Sequence, residues 1–242
     1  MICKKIILFT DFGANDLYVG QVHAVLADQA PGVPVIDLLH TVPRFDLHAG
    51  AHLLCALQKG FQQGSIFIAV VDPGVGGPRA ALMVEADGKW FVGPDNGLLS
   101  CIIRAADECR SYRILWRPDD LSISFHGRDL FAPVAAKLAT GAIPDSEPVD
   151  PELPDWPEQL DRIIYIDHYG NAVTGRTGGS ISIEHNVLIH GHAVGYGRVF
   201  SDNENGQLFW YVNSIGLVEI AANRDSAARI LDLAVGDTIR IL

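Results

Sequence analysis

No apolar run in this 242-residue chain approaches the length of a membrane span. The opening M-I-C-K-K-I-I-L-F-T lacks the plan of a signal peptide, because its apolar run is too short and feeds a first strand. The expected compartment is therefore the cytoplasm, with no membrane partner. Positive charge is scarce as well: 18 Lys and Arg stand against 29 Asp and Glu, a formal net charge of −11. A phosphate backbone demands a basic surface, so nucleic acid is not expected as a partner and a cationic or neutral small molecule fits better. Cys3, Cys55, Cys101 and Cys109 lie far apart with no C-x-x-C. That spacing suggests neither a zinc site nor a disulfide framework and reads as reduced, mostly buried thiols. Catalytic fingerprints are missing too. There is no G-x-S-x-G, no G-x-G-x-x-G after the first strand and no G-x-x-x-x-G-K-[ST], so nucleophile-elbow, dinucleotide and P-loop readings lose their support.

What is present is a globular composition, 48% apolar and 19% charged, on a chain long enough for one large domain or two modest ones. Residues 5–9, 34–39 and 65–71 read as strands. Helices are predicted from Leu17, capped by Asp16 and carrying Val19, Val22, Val25 and Leu26 at helical spacing, and over 46–57. His48 and His52 stand four apart on the second helix without a third ligand nearby, and read as solvated or partly packed rather than as a metal pair. Residues 80–85 and 89–92 form a hairpin pattern around Asp87-Gly88, followed by a helix over 98–106, a short strand at 112–115 and a helix over 130–139. This alternation predicts an α/β domain over residues 1–143 with a largely parallel sheet.

Residues 144–159 change texture, with Pro144, Pro148, Pro151, Pro154 and Pro157 among acidic residues, and read as an extended linker. Residues 160–242 then show short strand patterns at 162–166, 172–174, 186–190, 208–212, 217–221 and 238–242, with one short helix near 226–231. A small antiparallel barrel or sandwich follows. His190 and His192 fall on one face of the 186–190 pattern's continuation and, without an acidic or Cys partner in register, read as an ordinary strand pair.

The stretch V-D-P-G-V-G-G-P-R, residues 71–79, organises the first domain. It leaves the carboxyl end of a buried strand, where ligands bind in open α/β sheets. Taken alone, it is a tight loop in which Asp72 caps a turn and Arg79 pairs on the surface. It has company: T-D-F-G at 10–13, G-P-D-N-G at 93–97 and S-F-H-G-R-D at 124–129 also follow apolar strands or stand in polar loops. Placed together, Asp72, Arg79 and His126 lack a covalent nucleophile or an evident metal cage, which leaves a water molecule as the reactant. Asp72 can accept its hydrogen bond, His126 can take or relay a proton, and Arg79 can hold negative charge on a developing hydroxide.

Six ordered motifs carry a resemblance that runs nearly end to end: T-D-F-G-x-x-D-x-Y-V-G at 10–20, V-D-P-G-V-G-x-x-R at 71–79, G-P-D-N-G at 93–97, F-H-G-R-D-x-F-A-P at 125–133, D-x-Y-G-N at 167–171 and N-S-x-G-x-x-E-I-A at 213–221. In these the chain resembles the S-adenosyl-L-methionine (SAM) hydrolases that form adenosine, the SAM hydroxide adenosyltransferases, relatives of the fluorinases and chlorinases. The resemblance implies an N-terminal α/β domain, a C-terminal β-barrel, and a homotrimer binding SAM between the first domain of one subunit and the second of its neighbour. It implies that Asp11 holds the ribose hydroxyls, Asn171 reads the adenine edge and Tyr169 lies beside it. Asp167 and Ser214 match the positions that grip the methionine ends. Phe45 stands where halogenating relatives have Trp, and Glu219, in the motif of Ser214, belongs with the substrate-binding set. Asp72, Arg79 and His126 match the family's water-activating trio. SAM is then substrate, with no metal and no further cofactor.

Three rival readings remain: a nonenzymatic adenosine or SAM sensor on the same fold, a SAM-dependent halogenase, and a different nucleoside-cleaving enzyme. A carboxylate at Asp72 would repel a bound halide, and a sensor has no use for a charged trio beside C5′.

Overall fold

The computed structural model describes residues 4–242, so Cys3 lies outside the described residues. The chain divides into two compact units, the first ending at Asp155 and the second comprising Trp156–Leu242.

The first unit runs β1 (Lys5–Thr10), α1 (Leu17–Gln29), β2 (Val35–Leu39), α2 (Leu47–Leu57), β3 (Ser65–Val70), β4 (Ala81–Ala86), β5 (Lys89–Pro94), α3 (Ser100–Ala105), β6 (Cys109–Ile114), α4 (Ala132–Thr140) and β7 (Ser146–Pro148). Asp16 and Asp46 start α1 and α2 by accepting backbone N–H groups of Leu17 and Ala49. A single π-helical turn, Gly127–Phe131, leads into α4, which ends on left-handed Gly141.

These strands form one seven-stranded sheet in the order β2-β1-β3-β5-β4-β6-β7. The pairs β1/β2, β1/β3 and β3/β5 are parallel, whereas β4/β5, β4/β6 and β6/β7 are antiparallel. The sheet is therefore mixed rather than largely parallel. The β4–β5 hairpin itself is local, with Asp87 and Gly88 both at positive φ, 48° and 73°, in its tight turn, while the parallel pairing of β5 with the distant β3 makes the sheet mixed. The Pro- and acid-rich segment also contributes β7, an edge strand. Ile6, Leu8, Ile66, Ile68 and Met83 join Val134, Leu138 and Leu26 in one apolar cluster, as expected of central strands covered by helices. The parallel strands β1, β2, β3 and β5 all point the same way, so Asp11, His40, Asp72 and Asp95 fall at one edge. Cys55 and Cys101 are half-buried and Cys109 is exposed, so the expectation of mostly buried thiols fails for Cys109.

The second unit runs β8 (Leu160–Ile166), β9 (Ala172–Thr177), β10 (Val187–Ile189), β11 (His192–Val194), β12 (Leu208–Val212), β13 (Leu217–Ala222), α5 (Ala227–Leu231) and β14 (Arg240–Ile241). Two antiparallel sheets result, β12-β13-β9-β8 and β11-β10-β14, rather than one closed sheet. Trp210, Val218 and Ile163 share a core with Val187, Ile189 and Val194, so the two sheets cover the same apolar interior. Isolated bridges pair Arg162 with Thr238 and Tyr196 with Trp210. His190 and His192 do not share a strand face. His190 occupies a turn at φ 48° beside Gly191, its Nδ1 3.0 Å from the Leu231 carbonyl and its Nε2 3.1 Å from Asp237, while His192 opens β11.

Candidate active site

The first unit holds a cavity of about 480 Å³ at the carboxyl edge of its parallel strands, lined by residues that include Asp11, Phe12, Phe45, Asp72, Phe125 and His126. Two loops meet there. Gly76 has φ 78°, and a Cβ on it would lie 2.4 Å from the Ile123 carbonyl oxygen. Only glycine lets the 71–79 loop press that closely on the segment leading to His126. Asn96 anchors the same strand end, its Nδ2 donating to the Val71 carbonyl at 2.9 Å. In the H-G-R-D loop, Arg128 pairs with Asp129, which also accepts the Ser122 N–H, so these two charges shape the loop.

At the cavity wall Arg79, Asp72 and His126 converge. Arg79 makes a two-pronged contact with Asp72, Nε to Oδ1 at 2.9 Å and Nη2 to Oδ2, and the same Nη2 lies 2.9 Å from His126 Nδ1. Their side chains are nearly buried, Arg79 11% and Asp72 4% exposed. The guanidinium also donates to the Ala80 carbonyl and lies 5.5 Å from the Phe131 ring centre. Arginine has only donors, so His126 Nδ1 is the acceptor and the imidazole proton resides on Nε2. Burial first, and the Arg79 charge second, push the His126 pKa below its ordinary value. With Nδ1 accepting from Arg79, His126 presents its Nε2 away from the guanidinium.

Asp11 follows β1, and its Oδ2 accepts the Phe45 N–H at 3.2 Å. Burial raises the Asp11 pKa, with neighbouring Asp72 adding to the rise and the Phe45 N–H opposing it. Phe45 has φ 62°, a conformation that costs a non-glycine residue about 1–3 kcal/mol, and its ring is 70% exposed. Phe12, Tyr18 and Phe125 pack mutually at 5.2–5.8 Å between ring centres and give the cavity an aromatic side.

The second unit carries another cavity, about 790 Å³, lined by residues that include Asp167, Tyr169, Asn171, Tyr211 and Ser226. The D-x-Y-G-N segment is a self-bonded turn. Asp167 Oδ1 accepts the Tyr169 and Asn171 N–H groups at 2.9 and 2.8 Å, and its Oδ2 accepts Asn171 Nδ2 at 2.9 Å. Gly170, at φ 83°, admits no side chain, since a Cβ would sit 1.9 Å from Ser226 Oγ. Asn171 is buried while Tyr169 stands 75% exposed.

Ser214 and Glu219 are not among the residues lining either cavity. Ser214 is exposed on the β12–β13 turn. Glu219 is buried on β13, accepting Tyr211 Oη at 2.5 Å and Asn213 Nδ2 at 2.7 Å. Burial drives its pKa up, and the Tyr211 phenol is pushed well above its ordinary value by burial and by this carboxylate. Asn213 in turn accepts the Ile215 and Leu217 N–H groups, so Glu219 supports the turn bearing Ser214 from beneath. Tyr211, in the run L-F-W-Y-V, reaches the cavity without any motif to announce it. Among the described residues no three His, Cys, Asp or Glu side chains gather as a metal would require, and no helix is long and apolar enough to cross a membrane.

Residues 6–147 match the SAM hydroxide adenosyltransferase N-terminal domain, and residues 161–240 match the C-terminal domain of that family. The (R)-S-adenosyl-L-methionine hydrolase of Thermus thermophilus is 35% identical, over 99% of this chain and 100% of the relative. The enzyme of the same name from Salinispora arenicola is 36% identical, over 96% of this chain and 95% of the relative. Among solved structures, an uncharacterized conserved protein from Thermotoga maritima superposes with a TM-score of 0.88 at 28% identity, covering 98% of this chain and 99% of that one.

Proposed function

The chain belongs to the SAM hydroxide adenosyltransferase family, and on that premise we propose that it hydrolyses S-adenosyl-L-methionine to adenosine and L-methionine. The hydrolases named above match nearly its whole length, and the single observation that carries the reading is the contact of Arg79 with both Asp72 and His126 beside a cavity. A water oxygen attacks the ribose C5′, the C5′–S bond breaks, and its electron pair leaves with sulfur as a neutral thioether. The departing methionine needs no acid catalyst. The water loses one proton, which Asp72 accepts, while the Arg79 charge and the His126 Nε2–H hold the hydroxide-like oxygen. Negative and sulfonium charge cancel as the new bond forms, so fixed dipoles in place of bulk water favour the transition state. SAM is the substrate and the chemistry calls for no metal or further cofactor.

In this reading Asp11 binds the ribose, with Phe45 at the cavity rim. Asn171 and Tyr169 take the adenine end, and Asp167 and Ser214 take the methionine end. Glu219 stands behind them. Domain limits of 1–143 and 160–242 about a 144–159 linker accompany it. The bridges that join the two C-terminal sheets at their edges support a small barrel there. A homotrimer with the ligand shared between subunits rests on the family resemblance, and a cytoplasmic compartment on the reading of the sequence.

The test is incubation with SAM and chromatography of the products, repeated with Asp72→Ala. Adenosine and methionine from the parent and none from the variant support the proposal. Binding without turnover in the parent would mark a sensor, a halogenated nucleoside a halogenase, and free adenine a nucleoside-cleaving enzyme.

A further inference from the structure

Apart from the Phe45 N–H bond to its Oδ2, Asp11 is placed by its neighbours along the chain, and those neighbours converge on His40. Thr10 and His40 are both buried. His40 Nδ1 lies 2.8 Å from Thr10 Oγ1, and Thr10 Oγ1 accepts the Phe12 N–H at 3.3 Å. The His40 carbonyl accepts the Gly13 N–H at 2.7 Å, and the Thr10 carbonyl accepts the Val42 N–H at 3.2 Å. The residues on both sides of Asp11 are therefore fastened to the segment after β2.

The donors along this chain have one consistent order. Asp37 Oδ1 lies 3.0 Å from His40 Nε2 and 2.7 Å from His23 Nε2. Burial works to raise the Asp37 pKa, but the bonds from His40 and His23 outweigh it and hold this carboxyl below its ordinary value, so it acts only as acceptor. His40 then carries its proton on Nε2 and presents a lone pair at Nδ1. The Thr10 hydroxyl must donate to that lone pair, which leaves its oxygen free to accept from Phe12. Every member has one role, and removing the hydroxyl strands two polar groups in a dry place.

We propose that His40, acting through the Thr10 hydroxyl, is a positioning residue that sets the direction of the Asp11 carboxylate for the ribose hydroxyls of the ligand. The proposal rests on the nucleoside-binding reading given above. It does not make His40 a catalytic residue, since it lines no part of the cavity beside Asp72. The effect is expected in binding, because the ribose hydroxyls keep their contacts from ground state to transition state.

The experiment measures adenosine Kd by calorimetry, KM and kcat for SAM, and melting temperature, all on the full chain. Thr10→Val removes only the hydroxyl at nearly constant volume, and Thr10→Ser restores it. His40→Leu removes the acceptor, and His40→Asn returns one at the Nδ1 position. Thr10→Val and His40→Leu are expected to raise adenosine Kd and KM together by roughly tenfold while kcat stays within about twofold, from loss of one organised polar contact. Thr10→Ser and His40→Asn are expected to recover most of the affinity, and the Thr10→Val/His40→Leu pair should bind no worse than the weaker single variant. Parental affinity in Thr10→Val, additive losses in the pair, or failure of both rescues would overturn the proposal. A parent that binds adenosine but does not turn over SAM would defeat the hydrolase reading alone, with the Kd series still deciding the role of His40. A parent that binds no nucleoside would overturn both.

Discussion

His126 Nδ1 accepts from Arg79 Nη2 at 2.9 Å, the same nitrogen that holds Asp72. One guanidinium therefore fixes the imidazole's tautomer and the carboxylate's orientation at once, and the three groups behave as a unit. A His126 that gained a proton at Nδ1 would face the guanidinium with a donor where an acceptor is needed.

The acid side of the pH profile tests this. Burial and the Arg79 charge lower the folded-state pKa of His126 below 6.5. For a depressed pKa the stabilising contribution is present above the unfolded value and is lost as pH falls through the folded one. The acid limb of kcat/KM assigned to His126 should therefore lie below about 6.5. It should vanish in His126→Gln. A limb above that value, removed by the same substitution, would contradict the neutral imidazole.

Arg79→Lys keeps the charge but not the fork. A single ammonium cannot serve both Asp72 oxygens and the His126 nitrogen in this geometry. Turnover should fall by about a hundredfold, the scale seen when one organised donor is lost, while adenosine affinity stays within about twofold. Steady-state kinetics with calorimetry would separate the two quantities, and an unchanged kcat would refute the shared role.

Glu219 offers a contrast between support and contact. Glu219→Gln can still accept from the Tyr211 hydroxyl, but its amide faces Asn213 Nδ2, donor against donor, so a loss of about 1 kcal/mol is expected. Glu219→Leu deprives both partners of an acceptor and should cost about 2–3 kcal/mol. Urea denaturation checks the order. Because burial raises the Glu219 pKa, the stability tied to its protonated form is present below 4.5 and fades as pH rises through the folded value. The stability deficit of the Gln variant should therefore shrink over that rise.

Phe45→Gly separates strain from binding. Glycine accepts φ 62° without penalty, and the 70% exposed ring adds little to the core. Stability should hold or rise by up to about 1 kcal/mol, while adenosine affinity drops. A variant that is both less stable and equally avid would show that the ring serves packing instead.

Much of this arrangement is legible before any coordinates. The Asp87-Gly88 hairpin, the cap at Asp16 and the polar loops after apolar strands follow from local chemistry, and local chemistry is what a linear pattern records. The insertion of β5 between β3 and β4 is not local, so an alternating pattern reads as a largely parallel sheet. His190 in a left-handed turn is an uncommon choice of residue, which makes 186–190 and its continuation read as strand. Glu219 presents a second kind of difficulty: its motif places it with the ligand, while its two hydrogen-bond partners, six and eight residues away, put it one layer behind. The bond between Thr10 and His40 spans 30 residues and has no spacing rule at all.

The tight connection between β4 and β5 also bears on how the chain reaches this form. Strand β5 pairs with β4 through a two-residue turn but with β3 across a separation of more than twenty positions. Hairpins close in about 1–10 μs, whereas distant pairings wait on loop closure. The β4–β5 ribbon therefore forms early and docks as one piece onto β3, and the carboxyl edge that carries Asp72 and Asp95 is completed only at that late docking step.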